Sequence, residues 1–189
     1  MTDLAPAGNE IEMISGVVEK TRRSGESPLS RSAIGERLSG LIYGTIIVLA
    51  VVVAGAKAYS HDAAKIAGLM AVTSVVFWLA HVYAHSRAQT IARNEHLSLS
   101  ELRHIAGREG SIIGAALPPL AALLLGAFGL VSTRVAAWAA LGAGLAVLAV
   151  TGIIYARVER LGWLGTLAVV AANLGLGAAL VGLKLLVTH

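Results

Sequence analysis

The stretch IAGLMAVTSVVFWLAHVYAHS, residues 66–86, contains no Asp, Glu, Lys or Arg. About 20 helical residues cross the roughly 30 Å hydrocarbon core of a bilayer. Backbone N–H and C=O groups in lipid find no water, so a segment that crosses the bilayer must satisfy them internally, and the stretch predicts a transmembrane helix. It also carries two histidines four residues apart, His81 and His85, which are the strongest chemical feature of the chain.

Four further stretches resemble the first in length and composition, and the charged residues lie almost entirely between them. Only 14% of the 189 residues are charged, against about a quarter in soluble domains. We therefore predict an all-α integral membrane bundle of five transmembrane helices, at about residues 38–56, 66–86, 111–133, 135–156 and 163–187. Gly40 and Gly44 form a GxxxG pattern at the start of the first span, which favours close helix contact in a compact bundle or in a dimer.

Two regions follow from this division, a tail over residues 1–37 and a transmembrane domain over residues 38–189. The tail is polar and contains five of the fifteen Lys and Arg residues, so we expect it to be mostly disordered. A short amphipathic helix from about Glu10 to Arg22 is the alternative for part of it.

The distribution of basic residues predicts the orientation. Eleven Lys and Arg residues fall on the side of the N-terminus and four on the opposite side. By the positive-inside rule the N-terminus lies in the cytoplasm and the C-terminus outside, as expected for a bacterial inner-membrane protein. The same rule explains the net charge of +4, so we expect no nucleic-acid partner.

The loop after the second span contains Ser98-Leu-Ser-Glu101, a capping-box pattern that predicts a helix start. A short amphipathic helix from Leu99 to about Arg108 should follow and either lie along the inner membrane surface or pack on neighbouring helices.

Polar residues of the second span share one helix face, because Ser74, Trp78, His81 and His85 lie at offsets 0, 4, 7 and 11. Polar side chains inside a membrane turn toward protein or water, so we expect this face to point into the bundle. Pro118 and Pro119 should kink the third helix at a similar depth. The candidate pocket in the cytoplasmic third comprises His81, His85, Trp78, Ser74, Tyr43, Thr45, Pro118, Tyr155 and, nearer mid-membrane, Asn173, with Thr151 at the depth of Tyr155.

Several chemical interpretations of the histidine pair stay open. Two imidazoles at i and i+4 can share a metal, but zinc or iron takes three or four protein ligands, and no predicted span contains Asp or Glu. Haem would need a second histidine from a loop or another subunit. The pair could instead titrate protons or bind a permeant species, or be structural and hydrogen-bonded. We expect no cofactor, with metal or haem at His81 and His85 as the alternative.

Two short segments resemble bacterial lysosomal-type potassium channels. Arg37-Leu-Ser-Gly-Leu-Ile-Tyr43-Gly is similar to the opening of their first helix, and Phe77-Trp78-Leu-Ala-His81 to a helix with Trp and His. The Phe-Ser-Asp signature of that family is replaced here by Leu41-Ile-Tyr43, so the activity does not carry over. The histidine spacing also resembles one box of the membrane desaturases, which need about eight histidines where this chain has six.

Over its five predicted spans the chain resembles the small integral membrane proteins of high-GC bacteria, a resemblance that implies no activity. Our first hypothesis is a small transport or permeation protein with a polar pocket in the cytoplasmic third. The alternative is an accessory or scaffolding subunit of a membrane complex, and the third is a metal- or haem-binding membrane protein. The expected partners are the lipid bilayer and a second copy or another membrane subunit, and we do not expect an enzyme.

Overall fold

The computed structural model describes residues 28–93 and 98–187, and this part of the chain is all α-helical, with six helices and no strand. The all-helical prediction is therefore confirmed. In chain order the helices are α1 (Pro28–Ala58), α2 (Ala63–Arg93), α3 (Leu99–Arg108), α4 (Gly110–Ala127), α5 (Thr133–Val158) and α6 (Trp163–Val187).

Four of these helices are long and apolar enough to cross a membrane. Their candidate spans are Ala33–Ala58, Ala63–Ile91, Gly110–Ala127 and Thr133–Val158. The apolar part of α6, Trp163–Ala179, is shorter than these. The chain is thus a membrane protein, and the part of it that the structure describes has four candidate spanning helices.

The first helix begins at Pro28, ten residues before the span expected at 38. Proline is favoured in the first helical turn because its missing N–H would have no helical partner there and its φ angle already suits the helix. The segment from Glu10 to Arg22, where we considered an amphipathic helix, lies outside the described residues.

The fourth helix ends at Ala127, six residues before the predicted boundary at 133. Gly129 has a φ of +76°, and the N–H of Leu130 donates to the carbonyl of Leu125 at 3.0 Å. This is the Schellman pattern, which ends a helix with a left-handed residue. Ser132 then caps α5 by accepting the Val135 N–H, so local turn chemistry overrides the apolar composition of the segment.

The predicted capping box at the start of α3 is present. The Ser98 hydroxyl accepts the Glu101 N–H at 3.3 Å, and the Ser98 N–H donates to the Glu101 carboxylate at 2.8 Å. At the start of α2, Asp62 accepts the Lys65 N–H at 3.0 Å and satisfies one of the N–H groups that the first turn leaves without a partner.

One face of the first helix is buried in the bundle, and its Thr45, Val48, Leu49 and Val52 are 0–1% exposed. It approaches α4 closely, because a Cβ on Gly44 would lie only 2.9 Å from the carbonyl oxygen of Ile112. The GxxxG pattern thus marks a close helix contact, as predicted. The buried core around it is apolar and consists of Val48, Val52, Ile66, Ala67, Met70, Ala116, Leu123 and Ala140.

Candidate functional site

The polar face of α2 makes most of its contacts with other parts of the bundle. Ser74 is buried, and its hydroxyl donates to the carbonyl of Met70 in its own helix at 2.8 Å. One turn further, the indole Nε1–H of Trp78 donates to the carbonyl of Ala106 in α3 at 3.1 Å. This bond ties α3 to the side of α2.

His81 belongs to an aromatic cluster between α1 and α2. Its ring centroid lies 4.6 Å from that of Phe77 and 5.9 Å from that of Tyr43, and Tyr43 stacks on Phe77 with an interplanar angle of 12°. His81 is half-buried, whereas Tyr43 is 55% exposed. The cluster therefore lies at the periphery of the chain, with one edge open to its surroundings.

His85, at the end of the same face, pairs with a carboxylate. Its Nδ1 lies 3.0 Å from Oε1 of Glu109, and the two side chains are 45% and 16% exposed. Glu109 occupies the corner between α3 and α4. Glu109 was not identified from the sequence as a partner of the histidines. The signal available was its position, since this acidic residue follows the short capped helix α3 and immediately precedes the apolar helix α4.

The other candidate residues are distributed over separate contacts. The buried Thr45 and Thr151 donate their hydroxyls to Leu41 and Val147, four residues back in their own helices, both at 2.7 Å. Asn173 is buried in α6 and donates to the carbonyl of Leu148 in α5 at 3.3 Å.

Pro118 and Tyr155 are both exposed. The helix α4 is continuous across Pro118 and Pro119. Of the candidate set, the structure brings Tyr43 and His81 into ring contact, and it adds Phe77 and Glu109 as neighbours of the histidine pair.

Within residues 28–93 and 98–187, no group of three or more His, Asp or Glu side chains is placed to hold a metal ion. A structural zinc site takes four ligands and a catalytic one at least three. The pair His81 and His85, with Glu109 already bonded to His85, does not supply that set from the described residues.

Two pockets lie away from the centre of the bundle. The first, of about 340 Å³, is a polar groove between the end of α2 and α3, lined by Gln89, Ser100, Glu101, His104, Ile105 and Arg108. We call it the α2–α3 groove. The second, of about 290 Å³, lies where α1 and α2 meet the start of α5, at the opposite end of these helices. Sequence reasoning anticipated neither, because both depend on which helix ends meet.

Comparison of the chain with protein-family models, with curated proteins and with solved structures gave no match.

Proposed function

We propose that the chain is a five-span protein of the bacterial inner membrane, with the N-terminus in the cytoplasm and the C-terminus outside, and that it acts as an accessory or scaffolding subunit. The length of α6 supports the fifth span, since its 25 residues correspond to about 37 Å at roughly 1.5 Å per residue. The excess of basic residues on the N-terminal side supports the orientation.

One observation carries the scaffolding function. Four buried polar side chains of the described bundle are used in internal bonds: Thr45, Ser74 and Thr151 donate to their own helices, and Asn173 donates to α5. The Ser111 hydroxyl is the exception, since it has no hydrogen-bond partner among the described residues. The core between them is apolar. A permeation path needs polar groups that are free to replace the hydration of a solute, whereas these hydroxyl and amide groups contribute to helix packing.

The α2–α3 groove supplies a polar surface for a partner. The second helix continues for seven residues past Ser86, from Arg87 to Arg93, which is about 10 Å at roughly 1.5 Å per residue. The short helix α3 packs beside this extension, tied to α2 through Trp78 and Ala106. Charged residues of both signs, Glu101 and Arg108, line the groove with Ser100 and Gln89, which suits a polar segment of another protein rather than a lipid chain.

Photo-crosslinking in cells tests this function. A photoreactive amino acid at Gln89 or His104, both in the groove, should give a discrete crosslinked protein band. The matched control is Val150, which is 53% exposed in the apolar part of α5 and should give no such band. Crosslinks from the groove only to lipid would contradict a scaffolding role, and a band of twice the mass of the chain would identify the partner as a second copy.

The chain contains no cysteine, so single-cysteine labelling tests the orientation directly. With a membrane-impermeant maleimide, Ser60→Cys should be labelled in intact spheroplasts, and Ser100→Cys only after lysis. The opposite pattern would overturn the orientation. A C-terminal alkaline phosphatase fusion should be active if α6 crosses the membrane, and inactivity would remove the fifth span.

A transport or permeation function is the second candidate, favoured by the pairing of His85 with Glu109 close to His81. Histidine is the side chain whose unperturbed charge change falls nearest neutral pH. In proteoliposomes loaded with a pH-sensitive dye, this function predicts a proton or ion flux above that of empty vesicles. The flux should be lost in the double variant His81→Ala, His85→Ala, and the absence of any flux from the wild type would eliminate this candidate.

A further inference from the structure

The pocket at the start of α5 combines a cationic rim with an apolar wall. Arg134 and Ser60 line its polar side, and Val53, Ile66, Trp138 and Leu141 line its apolar side. The residues come from the end of α1, the turn that follows it, the first turn of α2 and the first turns of α5. We call it the Arg134 pocket.

The rim carries positive charge that the described part of the chain does not neutralise. No ion pair joins Arg134 to a carboxylate among the described residues, and Arg134 is exposed. Thr133, which also lines the pocket, begins the 26-residue helix α5, so the positive end of the helix dipole faces the same region. Asp62, the acidic residue just before α2, is paired with Lys65 at 3.1 Å. An anionic group would therefore be held at Arg134.

The apolar wall extends from the rim toward the interior of the membrane. From Thr133 to Leu141 is eight residues, or about 12 Å along the helix at roughly 1.5 Å per residue. Trp138 lies between these ends and is 66% exposed, and tryptophan is enriched where hydrocarbon meets headgroups. A ligand that fills this pocket needs an anionic head and an aliphatic tail.

We propose that the Arg134 pocket binds an anionic phospholipid, with the phosphate at Arg134 and one acyl chain along Val53, Trp138 and Leu141. Arginine suits phosphate because its planar guanidinium donates two parallel hydrogen bonds. A free phosphate would leave the apolar wall uncovered. A zwitterionic lipid would place its ammonium group in the positive potential of Arg134, so the pocket selects a lipid whose headgroup has no cation.

Lipid binding to the purified full-length protein tests the proposal. The delipidated protein, in a mild detergent, is titrated with phosphatidylglycerol or with phosphatidylcholine of identical acyl chains, and the first bound lipid is counted by native mass spectrometry. We expect half-saturation at about a tenfold lower concentration of phosphatidylglycerol, the effect of one charge-assisted contact. Equal half-saturation for the two lipids would overturn the proposal.

Two variants locate the site. Arg134→Gln should remove the preference for phosphatidylglycerol, whereas Arg157→Gln, at the other end of the same helix, should retain it. An equal loss of this preference in both variants would show that the lipid is attracted by the overall charge of the protein, and it would overturn the assignment of the site to the Arg134 pocket. Ala56→Phe should fill the pocket, since Ala56 lines it, and weaken binding of both lipids.

Soluble glycerol phosphate serves as the test for a site that recognises phosphate alone. It should not compete with phosphatidylglycerol at millimolar concentration, and effective competition would show that the acyl chain is not recognised. If Ala56→Phe fails to fold, the comparison of the two lipids on the wild type and on Arg134→Gln still decides the outcome.

Discussion

Nδ1 of His85 lies 3.0 Å from Oε1 of Glu109, across the contact between α2 and the corner that joins α3 to α4. The His85 side chain is 45% exposed, and water screens ion pairs at exposed positions. The pair therefore contributes little to the stability of the fold. The contact nevertheless joins two segments separated by 23 intervening residues. Its structural consequence is that α3 is held at two points, here and at Trp78.

A double-mutant cycle measures the strength of the pair. His85→Gln and Glu109→Gln should each destabilise the fold slightly, with a coupling energy of about 0.2–1 kcal/mol. Unfolding by SDS titration at neutral and at mildly acidic pH gives the values. Strict additivity of the two substitutions would show that the two side chains do not interact in the folded protein.

The carboxyl of Asp62 makes the stability of the bundle depend on pH in the acidic range. Its pKa is lowered, first by the hydrogen bond from the Lys65 backbone N–H and then by the hydrogen bond and charge of the Lys65 side chain. A lowered folded-state pKa means that the stabilisation is present above the ordinary carboxyl pKa and is lost as the pH falls through the folded value. We expect the wild type to lose stability over this acidic range more steeply than Asp62→Asn, which still accepts the N–H bond but does not titrate. Thermal unfolding at successive pH values measures the difference, and identical slopes would contradict the assignment.

Two helix ends use the same turn with different residues. Arg160 has a φ of 54° and Gly129 a φ of +76°, and in both turns the following N–H donates five residues back, Leu161 to Ala156 at 2.9 Å and Leu130 to Leu125 at 3.0 Å. A left-handed conformation costs a residue with a Cβ about 1–2 kcal/mol. Since glycine also gains freedom in the unfolded chain, we expect Arg160→Gly to stabilise the fold by about 0.5–1 kcal/mol and Gly129→Ala to destabilise it by about 1 kcal/mol.

The control for this pair is Arg160→Asn, which removes the charge but tolerates the left-handed region. It should be close to the wild type or slightly more stable in the same unfolding titration. A loss of stability in both Arg160→Gly and Arg160→Asn would show that the arginine side chain, rather than the backbone angle, determines this turn.

The helical character of the chain could be predicted from sequence because the charges are segregated so sharply. The helix start at Ser98 was also predictable, since the cap involves residues three positions apart. The end of α4 was missed although Gly129 and Ser132 are turn residues, because the apolar composition of the segment continues past them to Thr133. Composition indicates which segment is apolar enough to cross a membrane, whereas local hydrogen bonds determine the residue at which the helix ends.

The candidate site was only partly predictable. Periodicity predicts Trp78, His81 and His85 on one face, because helix geometry alone determines that relation. It could not identify Glu109 or Ala106 as their partners, since such contacts depend on how α3 turns back onto α2. Thr45 was grouped with the histidines because all three are predicted to lie in the cytoplasmic third of the membrane. A threonine hydroxyl in a helix can instead donate to the carbonyl four residues back, as Thr45 does.

The contact between Gly40 and Ser111 predicts a specific rescue. The Ser111 hydroxyl oxygen is buried without a hydrogen-bond partner among the described residues, and a Cβ on Gly40 would collide with it. Gly40→Ala should therefore destabilise the bundle by about 1–3 kcal/mol, the usual cost of overpacking. Ser111→Ala alone should be nearly neutral, because the hydroxyl has no bond to lose. In the double variant the new Cβ would lie 3.4 Å from the Cβ of residue 111, an ordinary contact, so most of the lost stability should return.

The control for this rescue is Gly114→Ala, in the same helix as Ser111. A Cβ at Gly114 meets nothing within 4 Å, so the effect of this substitution on stability should not be changed by Ser111→Ala. A double variant as unstable as Gly40→Ala would show that α1 and α4 do not meet at this pair.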